Sequence, residues 1–315
     1  MAPITGGDNG PVELRQLEYF LAVADTLSFT RGAKRLHVVQ SGVSATIKAL
    51  ERELGAELFV RGPAGVTLTP AGRELEPHAR ATLDAARAAK DAVAATGGAV
   101  RGTVKLGTLM SVNNVDLPRL LADLHARHPG VLVQFRFARA GSAGLAQQLR
   151  DGALDVALLV LPDGPPADLH TRLVADFPLL LIVPADHPLA GRESVPLAEL
   201  AGMSFVDGPP GYGNRAVVDR AFAAAGVQRT VVLEVADIAT TATHVRNGLG
   251  IGFLSRFMLD EIGDDGLATL RISDYDICWR LYVAMSAVRP PSAATRAVFS
   301  LIEEMIPEPG ASSVS

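Results

Sequence analysis

Apolar residues Val43, Ile47, Leu50 and Leu54 recur at steps of four and three, so the pattern predicts a helix over 40–54 with that stripe buried. The opposite side, with Ser41, Ser44, Ala45, Lys48 and Arg52, is small and polar enough for the helix to approach a groove. Just upstream, residues 30–36 read as a second short helix with Ala33 and Leu36 facing inward, and His37-Val38-Val39 turns the chain. Two short helices joined in this way predict a helix-turn-helix, whose second member enters the DNA major groove. Residues 14–27 carry Leu17, Phe20, Leu21, Ala24 and Leu27 on one stripe, the pattern of a supporting core helix. Beyond Gly55, Leu58-Phe59-Val60 and Val66-Thr67-Leu68 flank Gly62-Pro63-Ala64-Gly65, which predicts a two-stranded wing.

Thr69 as N-cap and Pro70 as first helical residue open a long helix that runs to 96 and stops at Gly97-Gly98. Leu75, Ala79, Ala86, Ala89 and Val93 approximate a narrow heptad stripe along it. A second copy of the helix would satisfy that stripe, and polar residues on the other sides argue against packing on its own domain. The pattern then alternates. Strands are expected at 103–109, 131–138 and 154–161, with helices at 117–127 and 142–150. Pro162-Asp163-Gly164-Pro165-Pro166 reads as a hinge. A second series follows, with strands at 179–183, 203–206, 231–235 and 251–254 and helices at 215–225 and 238–247. Strands at 267–272 and 278–285 and a helix at 293–306 close the chain. Such alternation predicts a parallel sheet covered by helices.

Leu14-Arg15-Gln16-Leu17, Phe20, Ser28-Phe29-Thr30, Ala33, Leu36, Gln40, Ser44, Ile47, Leu50-Glu51, Leu54-Gly55, Leu58-Phe59, Arg61 and Leu68-Thr69-Pro70-Ala71-Gly72 resemble the N-terminal signature of the LysR-type transcriptional regulators. A dozen spaced matches in one run are far more specific than a single short motif. Gly32, Val39 and Ala45 depart from the usual alanine, Ser or Thr, and long base-reading side chain; they bear on which bases are read, not on the fold. The resemblance extends over nearly the whole chain. It implies an N-terminal all-α winged helix-turn-helix at 12–69, a dimerising linker helix at 70–98 and a two-lobed α/β effector domain at 101–306, similar to periplasmic binding proteins. Lobe I is expected at about 101–161 and 271–306, and lobe II at about 162–270.

The chain has 315 residues, 48% of them apolar, and one cysteine, which suits two or three cored units and excludes a disulfide scaffold. Its net charge of −5 argues at first against DNA binding, but the distribution matters more than the sum. Residues 28–61 hold six bases against three acids, and the acids cluster towards the end of the recognition helix, leaving its start free of carboxylates. The first eleven residues do not have the form of a signal peptide, and no apolar run approaches the ~18 residues that span a bilayer, so a cytoplasmic protein without a membrane partner is expected.

Gln40, Ser41 and Ser44 are the expected readers of base edges, and Thr30, Arg31, Lys48 and Arg61 the expected phosphate contacts. For Arg61 the bland alternative is a solvated arginine; the resemblance favours phosphate. Ser111, Asn113, Ser142, Tyr212 and Arg215 fall at strand ends or helix starts, where α/β folds bind small and often anionic ligands, and are the expected effector contacts. For Ser111 and Ser142 a plain helix N-cap is an equal alternative, and for Arg215 a salt bridge between lobes. Gly248-Leu249-Gly250-Ile251-Gly252 follows a helix and precedes a strand, the reverse of a dinucleotide-binding loop. His125 and His128 sit in the last turn before Pro129-Gly130, where histidine suits the helix end, so no metal is expected. No catalytic constellation and no cofactor are expected either.

The reading is therefore a sequence-specific DNA-binding regulator controlled by a small organic acid, and not an enzyme. Its expected partners are double-stranded promoter DNA, the effector, other copies of itself as homodimer or homotetramer, and RNA polymerase. The alternatives are a stand-alone solute-binding protein and an α/β enzyme. The DNA module opposes the first, and the missing nucleophile opposes the second.

Overall fold

The computed structural model describes residues 12–62, 65–95, 100–109, 116–137 and 140–306. It forms two compact units that divide after Val93.

The first unit contains α1 (Leu14–Thr26), α2 (Phe29–Arg35), α3 (Gln40–Leu54), β1 (Phe59–Gly62), β2 (Gly65–Leu68) and α4 (Pro70–Ala95). Leu17, Phe20, Leu21 and Ala24 of α1 pack with Phe29, Ala33, Val43, Ile47 and Leu50 in one core. Two residues expected on buried stripes are exposed instead: Leu27 at 47% and Leu54 at 41%. Each stands at a helix end, Leu27 as a left-handed C-cap with φ 47° and Leu54 just before the Gly55 C-cap, where the helix has run past the core. α2 starts one residue earlier than expected because the Ser28 hydroxyl caps it, accepting from the Arg31 N–H at 3.3 Å. The departure at Gly32 has a packing cause: a methyl there would lie 3.0 Å from Val23 Cγ2 and 3.1 Å from the Ala22 carbonyl oxygen, so its absence lets α2 close on α1.

β1 and β2 pair antiparallel from Phe59↔Leu68 to Gly62↔Gly65, forming the wing. The Thr69 hydroxyl then accepts from Gly72 N at 2.9 Å and donates to the Glu57 carbonyl at 2.6 Å, starting α4 at the expected place. Part of the stripe along α4 is used inside this unit, with Ala79 buried in the core and Leu75 and Leu83 packed against it. Further along the helix, Ala89 is exposed and Val93 is 73% exposed.

The second unit runs β3 (Arg101–Thr108), α5 (Leu117–Arg127), β4 (Gly130–Phe137), α6 (Gly141–Arg150), β5 (Val156–Val160), β6 (Leu169–Pro184) and β7 (Ser194–Val195). It continues with β8 (Ser204–Asp207), α7 (Gly213–Ala225), β9 (Thr230–Glu234), α8 (Ile238–Arg246), β10 (Gly252–Ser255), α9 (Arg256–Ile262), β11 (Leu267–Ile272), β12 (Cys278–Ser286) and α10 (Ala293–Met305). The expected all-parallel sheet is mixed. β3 pairs parallel with β4 and β5, whereas β12 runs antiparallel to β5 and β6, and β10 and β11 run antiparallel to β6.

The connection between lobes also differs from the expected proline-rich hinge. β6 is 16 residues long; its first part pairs with β12 from Leu169↔Ser286, and its last part pairs with β10 and β11. β6 and β12 are thus the two crossovers, and Pro162–Pro166 precedes them in lobe I. Leu169 belongs to the lobe I core with Leu145 and Leu159, and Ile277 to the lobe II core with Leu181 and Phe205. Both lobe boundaries therefore fall inside the paired strands rather than at 161/162 and 270/271.

Candidate DNA-reading face and interlobe cleft

Burial of Val43, Ile47 and Leu50 turns the other side of α3 outward, leaving Gln40, Ser41 and Lys48 exposed and Ser44 half-buried. Ser44 joins helix to wing, because its Oγ accepts from Gln40 Nε2 at 3.0 Å and from Arg61 Nη2 at 3.2 Å. The Arg61 guanidinium also lies 4.0 Å from the centre of the Phe29 ring, an attraction that holds it beside α3. Thr30 and Arg31 are exposed at the start of α2, but the Arg31 guanidinium donates to the Thr26 carbonyl at 2.6 Å. All seven sequence-predicted residues thus lie on α2, α3 and the wing of one unit.

Two carboxylates of α3 are committed to the scaffold. Glu51 accepts from the N–H groups of Leu58 and Phe59 at 2.8 and 3.4 Å, anchoring the wing, and Glu53 accepts from Gln16 Nε2 at 2.9 Å. Val39 is 71% exposed as the N-cap of α3 and provides no side-chain cap. The sequence showed only its departure from a Ser or Thr pattern; its apolar exposure at the tip of the recognition helix required the fold.

In the second unit, a cleft opens between the lobes where α7 begins, lined by Tyr212, Gly213 and Asn214 from one side and by Leu254, Phe257 and Trp279 from others. Here α6 and α7 meet. Gly141 (φ +59°) lies so close that a Cβ would be 2.7 Å from the Gly211 carbonyl oxygen, and a Cβ on Gly213 would lie 2.5 Å from Val160 Cβ. Only glycine permits these approaches. The Ala143 N–H reinforces the contact by donating to the Gly211 carbonyl at 3.2 Å.

Of the five sequence-predicted effector contacts, Tyr212 lines the cleft. Ser142 is buried behind Gly141, and its hydroxyl accepts from Val160 N at 3.0 Å, tying α6 to β5. Ser111 and Asn113 lie outside the described residues. Arg215 turns away from the lining. Its guanidinium bonds Asp219 at 2.7 Å and the Gly208 carbonyl at 3.2 Å and stands 3.6 Å from Glu234. These partners belong to lobe II, so the expected free guanidinium is already compensated, and the bridge between lobes is not made there. Arg220 makes it, from α7 to Asp163 at 3.1 Å and to the Pro162 carbonyl.

Beneath Arg215, the buried Arg229 guanidinium lies 5.2 Å from the Phe205 ring centre, 2.6 Å from Asp219 and 2.7 Å from Asp207. Burial pushes the Asp207 carboxyl above its usual range despite the opposing Arg229 charge.

Several lining residues escaped the sequence. Asn214 is buried with its amide donating to the Phe253 carbonyl at 2.9 Å, while Ser255 caps α9 by accepting from Met258 N at 3.3 Å. Phe257 lies on α9, a seven-residue helix too short to show a period, and Trp279 lies within the expected strand at 278–285 with no signal of its own.

The family model described as "LysR substrate binding domain" matches residues 97–306, and that described as "Bacterial regulatory helix-turn-helix protein, lysR family" matches 14–73. A RuBisCO operon transcriptional regulator of Allochromatium vinosum is 34% identical over 265 residues, covering 84% of this chain and 86% of its own. A full-length OxyR variant from Pseudomonas aeruginosa superposes with a TM-score of 0.71 at 26% identity, covering 94% of this chain and 95% of its own. The CcmR regulatory domain of Synechocystis PCC6803 in complex with 2-PG gives a TM-score of 0.56 at 26% identity, covering 66% of this chain and 99% of its own. With its winged helix-turn-helix and its two-lobed effector-binding domain, this chain belongs to the LysR family of transcriptional regulators.

Proposed function

We propose that the protein binds promoter DNA through α3 and the wing, as a homodimer or larger homo-oligomer, and that a small organic acid held between the lobes controls that binding. The observation that carries the DNA half is the start of α3, which is exposed, holds no carboxylate before Glu51 and meets Arg61 of the wing through Ser44. Gln40 and Ser41 read base edges there. Val39 fits the methyl group of thymine, and Thr30, Arg31, Lys48 and Arg61 hold phosphates. Ser44 acts chiefly on its neighbours, since its oxygen already accepts from both Gln40 and Arg61.

The cleft supports the effector half. α7 starts there without a side-chain cap at Tyr212, so the N–H groups of its first turn can receive a carboxylate. Closure of the lobes around the acid favours one arrangement of the second unit over another. A regulatory rather than enzymatic role fits the two family models the chain matches, a regulatory helix-turn-helix and a substrate-binding domain. The test is the mobility of DNA from just upstream of the protein's own gene. Specific retardation that responds to an added acid supports the reading, and indifference to DNA sequence contradicts it.

A further inference from the structure

Resting on the reading of the cleft as the effector site, we propose that its ligand is a ring-bearing monocarboxylate, a planar apolar body with one negative charge, and that phosphorylated or polyhydroxylated acids are rejected. The first observation is the aromatic floor. Trp279 and Phe177 are register partners on the crossover strands β12 and β6, and the Phe257 ring stacks on Phe177 with centroids 5.7 Å apart and planes 22° apart. Trp279, Phe257 and Tyr212 all line the cleft, together with Leu254 and Met258. A flat ring exploits such a surface by stacking and by loss of apolar area to water.

Among the described residues of the lining, the polar equipment is sparse. Among the described residues, none that line the cleft carries a formal charge. Asn214 already donates to the Phe253 carbonyl, and the Ser255 oxygen already accepts from Met258 N. A ligand rich in hydroxyls would leave several of them desolvated without partners, which is costly.

The charges nearby point the same way. Arg215 and Arg229 are shared among Asp207, Asp219 and Glu234. With three carboxylates against two guanidinium groups, this cluster has no positive surplus. A phosphate dianion brought beside it would meet three carboxylates against two guanidinium groups, whereas one carboxylate can be met by the uncapped start of α7.

Trp279 is the sole tryptophan of the chain, so the protein's tryptophan emission reports on this floor alone. The experiment titrates the full-length protein with benzoate, phenylacetate, 4-hydroxybenzoate and indole-3-carboxylate, and in parallel with glycolate, shikimate and inorganic phosphate. Calorimetry repeats each titration to remove optical artefacts. At least one ring acid is expected to change Trp279 emission saturably and to bind at least tenfold tighter than every member of the second set. Phe257→Ala and, if that variant folds poorly, Phe257→Leu should weaken the same acid tenfold or more.

Silence towards every ring acid to 10 mM overturns the proposal. Tighter binding of glycolate, shikimate or phosphate with a Trp279 response overturns the ligand class but keeps the cleft as the effector site. A ligand that alters operator binding while Trp279 emission and the Phe257 variants show no effect overturns both.

Discussion

Ser44 receives hydrogen bonds from a glutamine of its own helix and an arginine of the wing, so one hydroxyl fixes two side chains before any DNA arrives. With Nε2 donating to Ser44, the Gln40 side chain keeps its carbonyl oxygen as an acceptor for DNA. Gln40→Ala should cost about 1–3 kcal/mol on the operator and relax specificity at one base pair. Equal losses on operator and random DNA would reject a base-reading role. Lys48→Ala belongs to the other class of contact. It should weaken all sequences alike and make the salt dependence shallower, because fewer counterions are released, as a salt series of binding constants would show. Arg215→Ala should act on stability instead of sensing. Loss of its bonds to Asp219 and the Gly208 carbonyl is expected to destabilise the protein by about 1 kcal/mol while ring-acid affinity stays near wild type. Paired denaturation and calorimetry separate these outcomes.

Elements with a sustained period were legible in the sequence. The range 40–54 for α3 and 117–127 for α5 agree with the structure because buried residues recur on one face through each helix. β6 was legible only at its end. Asp176, Phe177 and Pro178 break its apolar pattern where it crosses from one lobe core to the other, so the crossover was mistaken for the proline-rich loop before it. α9 is too short for periodicity, and its Phe257 and Met258 were lost from the expected site with it. Arg215 was misplaced for a different reason. Sequence puts it at a helix start with Asp219 one turn later, an i,i+4 spacing that signals the pair found in the structure. The contact between α6 and α7 yields an element-scale prediction. Gly213→Ala puts a methyl into Val160, forces the lobes apart and should lower effector affinity at least tenfold without changing operator affinity in the absence of effector. Calorimetry and gel mobility on the same preparation check both parts.

At the scale of the whole molecule, α4 has to serve its own domain and a partner in succession. Leu75, Ala79 and Leu83 are committed to the winged-helix core, so the dimer seam is expected further along, where Ala89 is exposed. Ala89→Glu places like charges in that seam, where each lacks a partner, and should yield monomers by light scattering. Full-size oligomers with normal DNA binding would put the seam elsewhere. Coupling between the two units is the larger claim, since a ligand shifts DNA binding only by its differential affinity for two arrangements of the protein. The decisive measurement is a hydroxyl-radical footprint of the full-length protein on its own upstream DNA, taken without effector and with a ring acid at a concentration that saturates the Trp279 response. The account predicts that the protected positions or the affinity change on saturation. An identical footprint and affinity with the cleft filled would contradict it.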